Sequence, residues 1–164
     1  MLKQRLRKQA QKQQKTTRIM AFEIGHLTLG LPLEGVTKVV PKPGIIKGSQ
    51  ANIGLAQVAD QDIIVLDVEE RILGSSNVNQ KGYLILFQAE DKTYGVPCGR
   101  LPAMREINQD EIQDIPADYR ERDALGIASK MLTIKAEEQA DETIFLVAPN
   151  ELLDLLTAES PSLG

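Results

Sequence analysis

Along most of the chain, hydrophobic and polar positions alternate over short runs. From Leu27 to Leu33 the large apolar side chains fall at odd positions, with small or polar residues between them. That is the period of a half-buried strand, and Pro32 assigns it to a sheet edge or a strand end. Ile19–Ile24 reads as the preceding strand, joined to it by a turn at Gly25-His26. Glu34-Gly35 turns the chain again, and Val36–Val40 predicts a third strand, stopped by Pro41-Lys42-Pro43-Gly44. Ile45-Ile46 is a short apolar insert before the polar run Gly48–Asn52. Gly54–Leu73 then reads as strand, tight turn over Asp60-Gln61-Asp62, strand over Ile63–Leu66, and a short helical turn that Asp67 can cap.

Gly74–Gly82 is a linker by composition, and beyond it a second set of strands begins. Tyr83–Phe87 and Lys92–Cys98 form a hairpin about Ala89-Glu90-Asp91. Leu101–Ile107 contains Pro102 and reads as irregular or as an edge. Asn108–Arg122 is a polar loop with isolated Ile112 and Ile115 and room for a helical turn. Gly126–Ile134 and Thr143–Val147 predict two more strands around an acidic hairpin loop, Lys135–Glu142. Asn150 then caps a helix with Leu152, Leu153, Leu155 and Leu156 as its packing stripe, and Ser160–Gly164 is a tail.

About ten short strands at regular spacing with one terminal helix predict a mainly β fold of small barrels or a sandwich. The two halves also look alike. Phe22–Pro32 and Leu86–Pro97 each run strand, turn, strand, and Gly30 and Gly95 each precede an aliphatic residue and a proline. The expected architecture is therefore two similar barrels with a groove between them. The predicted division is an arm over 1–17, a domain over 18–157 (lobe one about 18–74, lobe two about 82–149, helix about 150–157) and a tail over 158–164.

Composition changes this picture in one place. The chain has 164 residues, 42% hydrophobic and 26% charged, ordinary values for a globular protein, but only 4% are aromatic and none is Trp, so the core must be aliphatic. The formal net charge of −4 is unevenly spread. Seven basic residues (Lys3, Arg5, Arg7, Lys8, Lys12, Lys15, Arg18) lie in the first eighteen positions, which hold no acid, and all 23 acidic residues lie beyond them. A basic arm precedes an acidic body. Leu2 and Leu6 are its only sizeable aliphatics, and no aromatic is interleaved for base stacking, so a solvated arm or a protein contact is expected before nucleic acid or anionic lipid.

Candidate chemistry is sparse. A single cysteine, Cys98, leaves no internal disulfide and suits a reducing, cytoplasmic setting; no apolar run reaches the roughly 18 residues that cross a bilayer. A single histidine, His26, with Cys98 as its one soft companion, cannot build a zinc site, and no Ser lies in a nucleophile elbow. No phosphate-binding glycine loop is present, so no cofactor is expected. Carboxylate pairs such as Asp60/Asp62 and Glu137/Glu138 fall in turns, where they are solvated faces more often than acid–base pairs. A carboxylate hydrolase is thus a minor alternative to a non-enzymatic protein-binding module.

The phrase Phe22-x-Ile24-Gly25-x-x-x-Leu29-Gly30-Leu31-Pro32-Leu33-x-x-Val36-x-x-Val39 resembles the opening of CheW-like domains, the coupling proteins of bacterial chemotaxis arrays. Ile63–Val68, followed by Glu69-Glu70-Arg71-Ile72-Leu73-Gly74, is similar to a further strand of that family, as are Tyr94-Gly95-Val96 and Asn150-Glu151-Leu152-Leu153 in the second half. The likeness covers about residues 18–157. It implies two SH3-like five-stranded β-barrels with a groove between them and a short C-terminal helix. It also implies a cytoplasmic, non-enzymatic adaptor between a chemoreceptor's cytoplasmic tip and a CheA-type histidine kinase, near the membrane only through the receptor. Family binding surfaces map to Val36 and Lys38, to the turn region with Gln57, Ala59 and Asp60, and to Tyr83. The sequence departs from the family where an Arg-Gly pair is usual: Ala59-Asp60 stands there, or Ile53-Gly54 in an alternative register, and Gly99 replaces a usual Asp. Loss of that Arg removes a bidentate donor and implies changed partner contacts.

Overall fold

The computed structural model describes residues 15–48, 52–74, 76, 80–116, 128, 130–135 and 140–158, with the side chains of 155–158 excepted. Two six-stranded sheets form most of it. The first sheet contains β1 (Thr16–Ile24), β2 (Leu27–Pro32), β9 (Ala103–Asn108), β10 (Gln113–Asp114), β11 (Lys130–Ile134) and β12 (Glu142–Leu146), in the order β10-β11-β12-β2-β1-β9. The second contains β3 (Val36–Pro41), β4 (Ile46–Lys47), β5 (Ile53–Val58), β6 (Gln61–Leu66), β7 (Tyr83–Ala89) and β8 (Lys92–Cys98), in the order β3-β7-β8-β6-β5-β4. Each sheet thus has five longer strands and one two-residue edge strand, β10 or β4.

The sheets cut across the lobe boundary expected near 74–82. Hairpin β1–β2 leaves the first half of the chain and pairs with the second: β1 with β9 antiparallel and β2 with β12 parallel. Hairpin β7–β8 makes the reciprocal exchange, β7 with β3 antiparallel and β8 with β6 parallel. Alternation within a hairpin encodes which face a side chain takes, but a parallel partner is reached through a long crossover and leaves no local trace. The body also starts earlier than expected, because Thr16 and Thr17 already pair with Asn108 and Ile107. The arm residues 1–14 and the tail residues 159–164 lie outside the described residues.

The exchange makes the two halves structurally equivalent. Gly30 faces Ala21 on β1 and Leu146 on β12; Gly95 faces Leu86 on β7 and Val65 on β6. Both glycines are required by close approach. A Cβ at Gly30 would lie 2.8 Å from Ile19 Cδ1, and one at Gly95 would lie 2.9 Å from Leu84 Cδ1. Each sheet has its own small core. Ile19, Ala21, Leu132 and Ile144 serve the first, and their register counterparts Leu84, Leu86, Ala56 and Ile63 serve the second. The largest core joins the sheets, from Phe22, Ile24, Leu29 and Leu31 on one side to Leu66, Ile85, Phe87, Tyr94 and Val96 on the other. Packed core therefore stands where the facing sheets meet. Each fully buried Leu, Ile or Phe there stabilises the fold by about 1.5–3 kcal/mol.

Other elements differ from expectation by one or two residues, for local reasons. The β5–β6 turn is Ala59-Asp60, with φ of 50° and 65°, and Gln61 and Asp62 already belong to β6. Glu90-Asp91 makes the same two-residue turn between β7 and β8, with φ of 52° and 65°. Both are geometries that match strand twist. Leu101–Ile107, expected to be irregular or an edge, contains the edge strand β9, which is regular because Pro102 precedes its first residue. Helix α1 (Val68–Leu73) begins on Asp67 as expected. Helix α2 (Pro149–Ala158) starts one residue before the predicted cap Asn150, since a proline at the first helical position gives up only an amide with no partner in the helix. Leu152 and Leu153 of its stripe are buried; Leu155 and Leu156 fall outside the described side chains.

Candidate functional site

The second sheet carries every residue singled out for partner binding, at three separate places. Val36 and Lys38 lie on edge strand β3, where Thr37 bulges between them: Val36 pairs with Phe87 and Lys38 with Leu86. Lys38 is exposed and Val36 half-buried against the large core. Gln57, Ala59 and Asp60 form the tip of hairpin β5–β6 and are exposed. Gln57 Nε2 donates to Asp62 Oδ1 at 3.2 Å, and Gln61 Nε2 donates to Thr93 Oγ1 at 3.2 Å, which ties this tip to the start of β8. The turns Ala59-Asp60 and Glu90-Asp91 therefore share one end of the sheet, close to Val36. Four strand spacings, about 19 Å, still separate β3 from β5. Tyr83 sits at the opposite end, paired with Pro41 and Cys98.

At Tyr83's end the backbone amide of Lys42 donates to the Gly82 carbonyl at 2.9 Å. Burial lowers the pKa of the Lys42 ammonium, against the attraction of Cys98, Glu69 and Asp67. Burial also pushes the Cys98 thiol up to about 11, so it stays protonated at neutral pH. A buried carboxylate organises the opposite edge. Asp67 is 2% exposed; its Oδ1 accepts the Glu70 amide at 3.2 Å and its Oδ2 accepts the Ser76 hydroxyl. Lys47 Nζ lies 3.9 Å from Asp67 Oδ2 and pairs with Glu70, which fixes β4 against α1.

Fixing β4 creates a surface that the sequence reading missed. Ile46, Leu55 and Ile64 stand in register across β4, β5 and β6. Gly54 and Ala56 point into the sheet's own core, so Leu55 takes the other face. Leu55 is 52% exposed and Ile46 74%, whereas Ile64 is half-buried. Their register counterparts in the first sheet are Gln113, Met131 and Phe145. There Met131 and Phe145 are buried in one cluster with Ile115 and Ala128. Ile115 and Ala128 come from the connection between β10 and β11, which spans residues 115–129, whereas the one between β4 and β5 spans only 48–52. In the second sheet Ile46 and Leu55 stay exposed, beside the half-buried Ile64. The insert Ile45-Ile46 was this surface's one trace in the sequence.

Among the described residues no three His, Cys, Asp or Glu side chains come together to hold a metal ion, and no helix is long and apolar enough to cross a membrane. His26 is an exposed turn residue beside Gly25, whose φ is 60°. A small apolar recess of about 180 Å³, lined by Ile19, Gly30, Pro32, Ile107 and Leu146 with Arg18 and Lys130, belongs to the first sheet.

The family model of the CheW-like domain matches residues 18–155. The chain belongs to the CheW-like domain family. Fifteen chains of solved structures match it. One is the scaffolding protein TtCheW from Thermoanaerobacter tengcongensis, at 17% identity and a TM-score of 0.65, over 83% of this chain and 86% of that one. The likeness confirms the mainly β, two-lobed SH3-like architecture of a CheW-like domain. A comparison with curated proteins gives no match.

Proposed function

We propose that this CheW-like chain is a non-enzymatic adaptor in bacterial chemotaxis-type signalling. It joins a chemoreceptor's cytoplasmic tip to a CheA-type histidine kinase in the cytoplasm, by protein–protein contacts alone. The observation that carries this reading is the exposed pair Ile46 and Leu55 beside the half-buried Ile64, where the counterparts Met131 and Phe145 are buried. An exposed apolar row beside a rigid hairpin tip is what a partner's aliphatic anchors would cover. In this reading Gln57, Ala59 and Asp60 flank the kinase contact, while Val36 and Lys38 on β3 and Tyr83 at the far end of β7 belong to separate contacts. Without the family's usual Arg, affinity rests on apolar burial more than on a bidentate ion pair.

The test is capture of a full-length CheA-type kinase and of a receptor signalling tip by the full-length chain. Binding to at least one is expected, and Leu55→Arg should weaken kinase capture by about tenfold or more, as loss of an interface anchor does. Binding to neither would overturn the proposal.

A further inference from the structure

The basic arm is the sequence feature that the adaptor reading leaves without a role, and the bare row has a charge pattern that fits it. Asp60 and Asp62 lie at the β5–β6 end of the row, with Glu90 and Asp91 in the adjoining turn and one cation, Lys92, beside them. This end of the face is apolar with a net-acidic rim. The arm carries the complement: Leu2 and Leu6 stand four residues apart among Lys3, Arg5, Arg7 and Lys8, with no acid before Glu23. We propose that residues 1–8 of the chain dock in cis on the face of β4, β5 and β6. Leu2 and Leu6 lie against Ile46 and Leu55, and the cations lie along the rim of Asp60, Asp62, Glu90 and Asp91, so that arm and partner compete for one surface.

The arm leaves the body at Lys15, whose Nζ lies 3.0 Å from Asp110 Oδ2. The nine residues from Lys15 back to Leu6 span up to about 30 Å when extended, most of the ~40 Å diameter of a 164-residue globule. Tethering holds the arm at an effective concentration in the millimolar range, enough for a weak contact to be occupied. The body of a second copy is a poorer occupant, because it presents the same acidic rim and like charges would face each other.

The competition rests on the adaptor reading of this face, but the docking test involves neither kinase nor receptor, so the two can fail separately. The full-length chain is digested with trypsin at low salt, and cleavage after Arg5, Arg7 and Lys8 is timed by mass spectrometry against a synthetic peptide of residues 1–15. Docking predicts cleavage at least fivefold slower than in the peptide. That protection should be independent of protein concentration, weaken in 0.5 M salt, and be lost in Leu55→Arg and Ile46→Arg. Leu6→Gln, which cannot unfold the body, should abolish it as well. Equal rates in the wild type, the variants and the peptide would overturn the proposal. Protection that rises with protein concentration would also overturn it, in favour of docking between copies.

Discussion

Ala59 holds a φ of 50°, in the left-handed region that costs an L-residue with a Cβ about 1–2 kcal/mol. The turn tolerates it because Gln57–Asp62 and Gln61–Thr93 secure both strands at its base. Ala59→Asn places a residue suited to that region, and we expect a gain of about 0.5–1 kcal/mol, roughly 1–4 °C in Tm, by calorimetry. Ala59→Val should lower Tm instead. Cys98 gives a second measurement at this scale. With its pKa near 11 instead of 9.0, its thiolate fraction at pH 7.5 is about a hundredfold below that of an ordinary thiol. Alkylation of the folded protein should be slower by at least that factor, because the thiol is also only 3% exposed, and should still be accelerating above pH 9. A rate equal to that of a free thiol, levelling off near pH 9, would show an exposed, unperturbed group.

At the scale of elements, Asp67 ends β6, starts α1 and holds Lys47 of β4. The sequence already marked it as a cap, since an acid before Val68-Glu69-Glu70 has no other local use. It did not mark Lys47, which arrives from twenty residues upstream. Asp67→Ala removes the acceptor of the Glu70 amide and of the Ser76 hydroxyl, so a loss of about 1–2 kcal/mol is expected in chemical denaturation. Because β4 is held through the same group, the variant should also raise hydrogen exchange at β4 and α1 while leaving β11 and β12 unchanged. Uniform loss of protection across both sheets would contradict this local role.

For the whole molecule the exchanged hairpins decide cooperativity. Neither half can complete a sheet: residues 80–158 lack β1 and β2, and residues 15–76 lack β7 and β8. We expect each fragment alone to give a poorly dispersed amide spectrum, and an equimolar mixture to recover native-like dispersion. An independently folded 80–158 fragment would refute the exchange.

Alternation and turn chemistry in the sequence determined nearly all the strands, the mainly β class, the likeness of the two halves and the cap at Asp67, because each depends on residues within a few positions of one another. The family motifs were legible for the same reason, as local phrases in a fixed order. Tertiary structure alone decided which half each hairpin joins, that core fills the meeting of the sheets, and that Ile46 and Leu55 are bare while Met131 and Phe145 are covered. Those outcomes depend on parallel pairings and on residues distant in the sequence. Leu55 and Met131 read alike as apolar strand residues, but Met131 is buried in a cluster with Ile115 and Ala128 whereas Leu55 is 52% exposed.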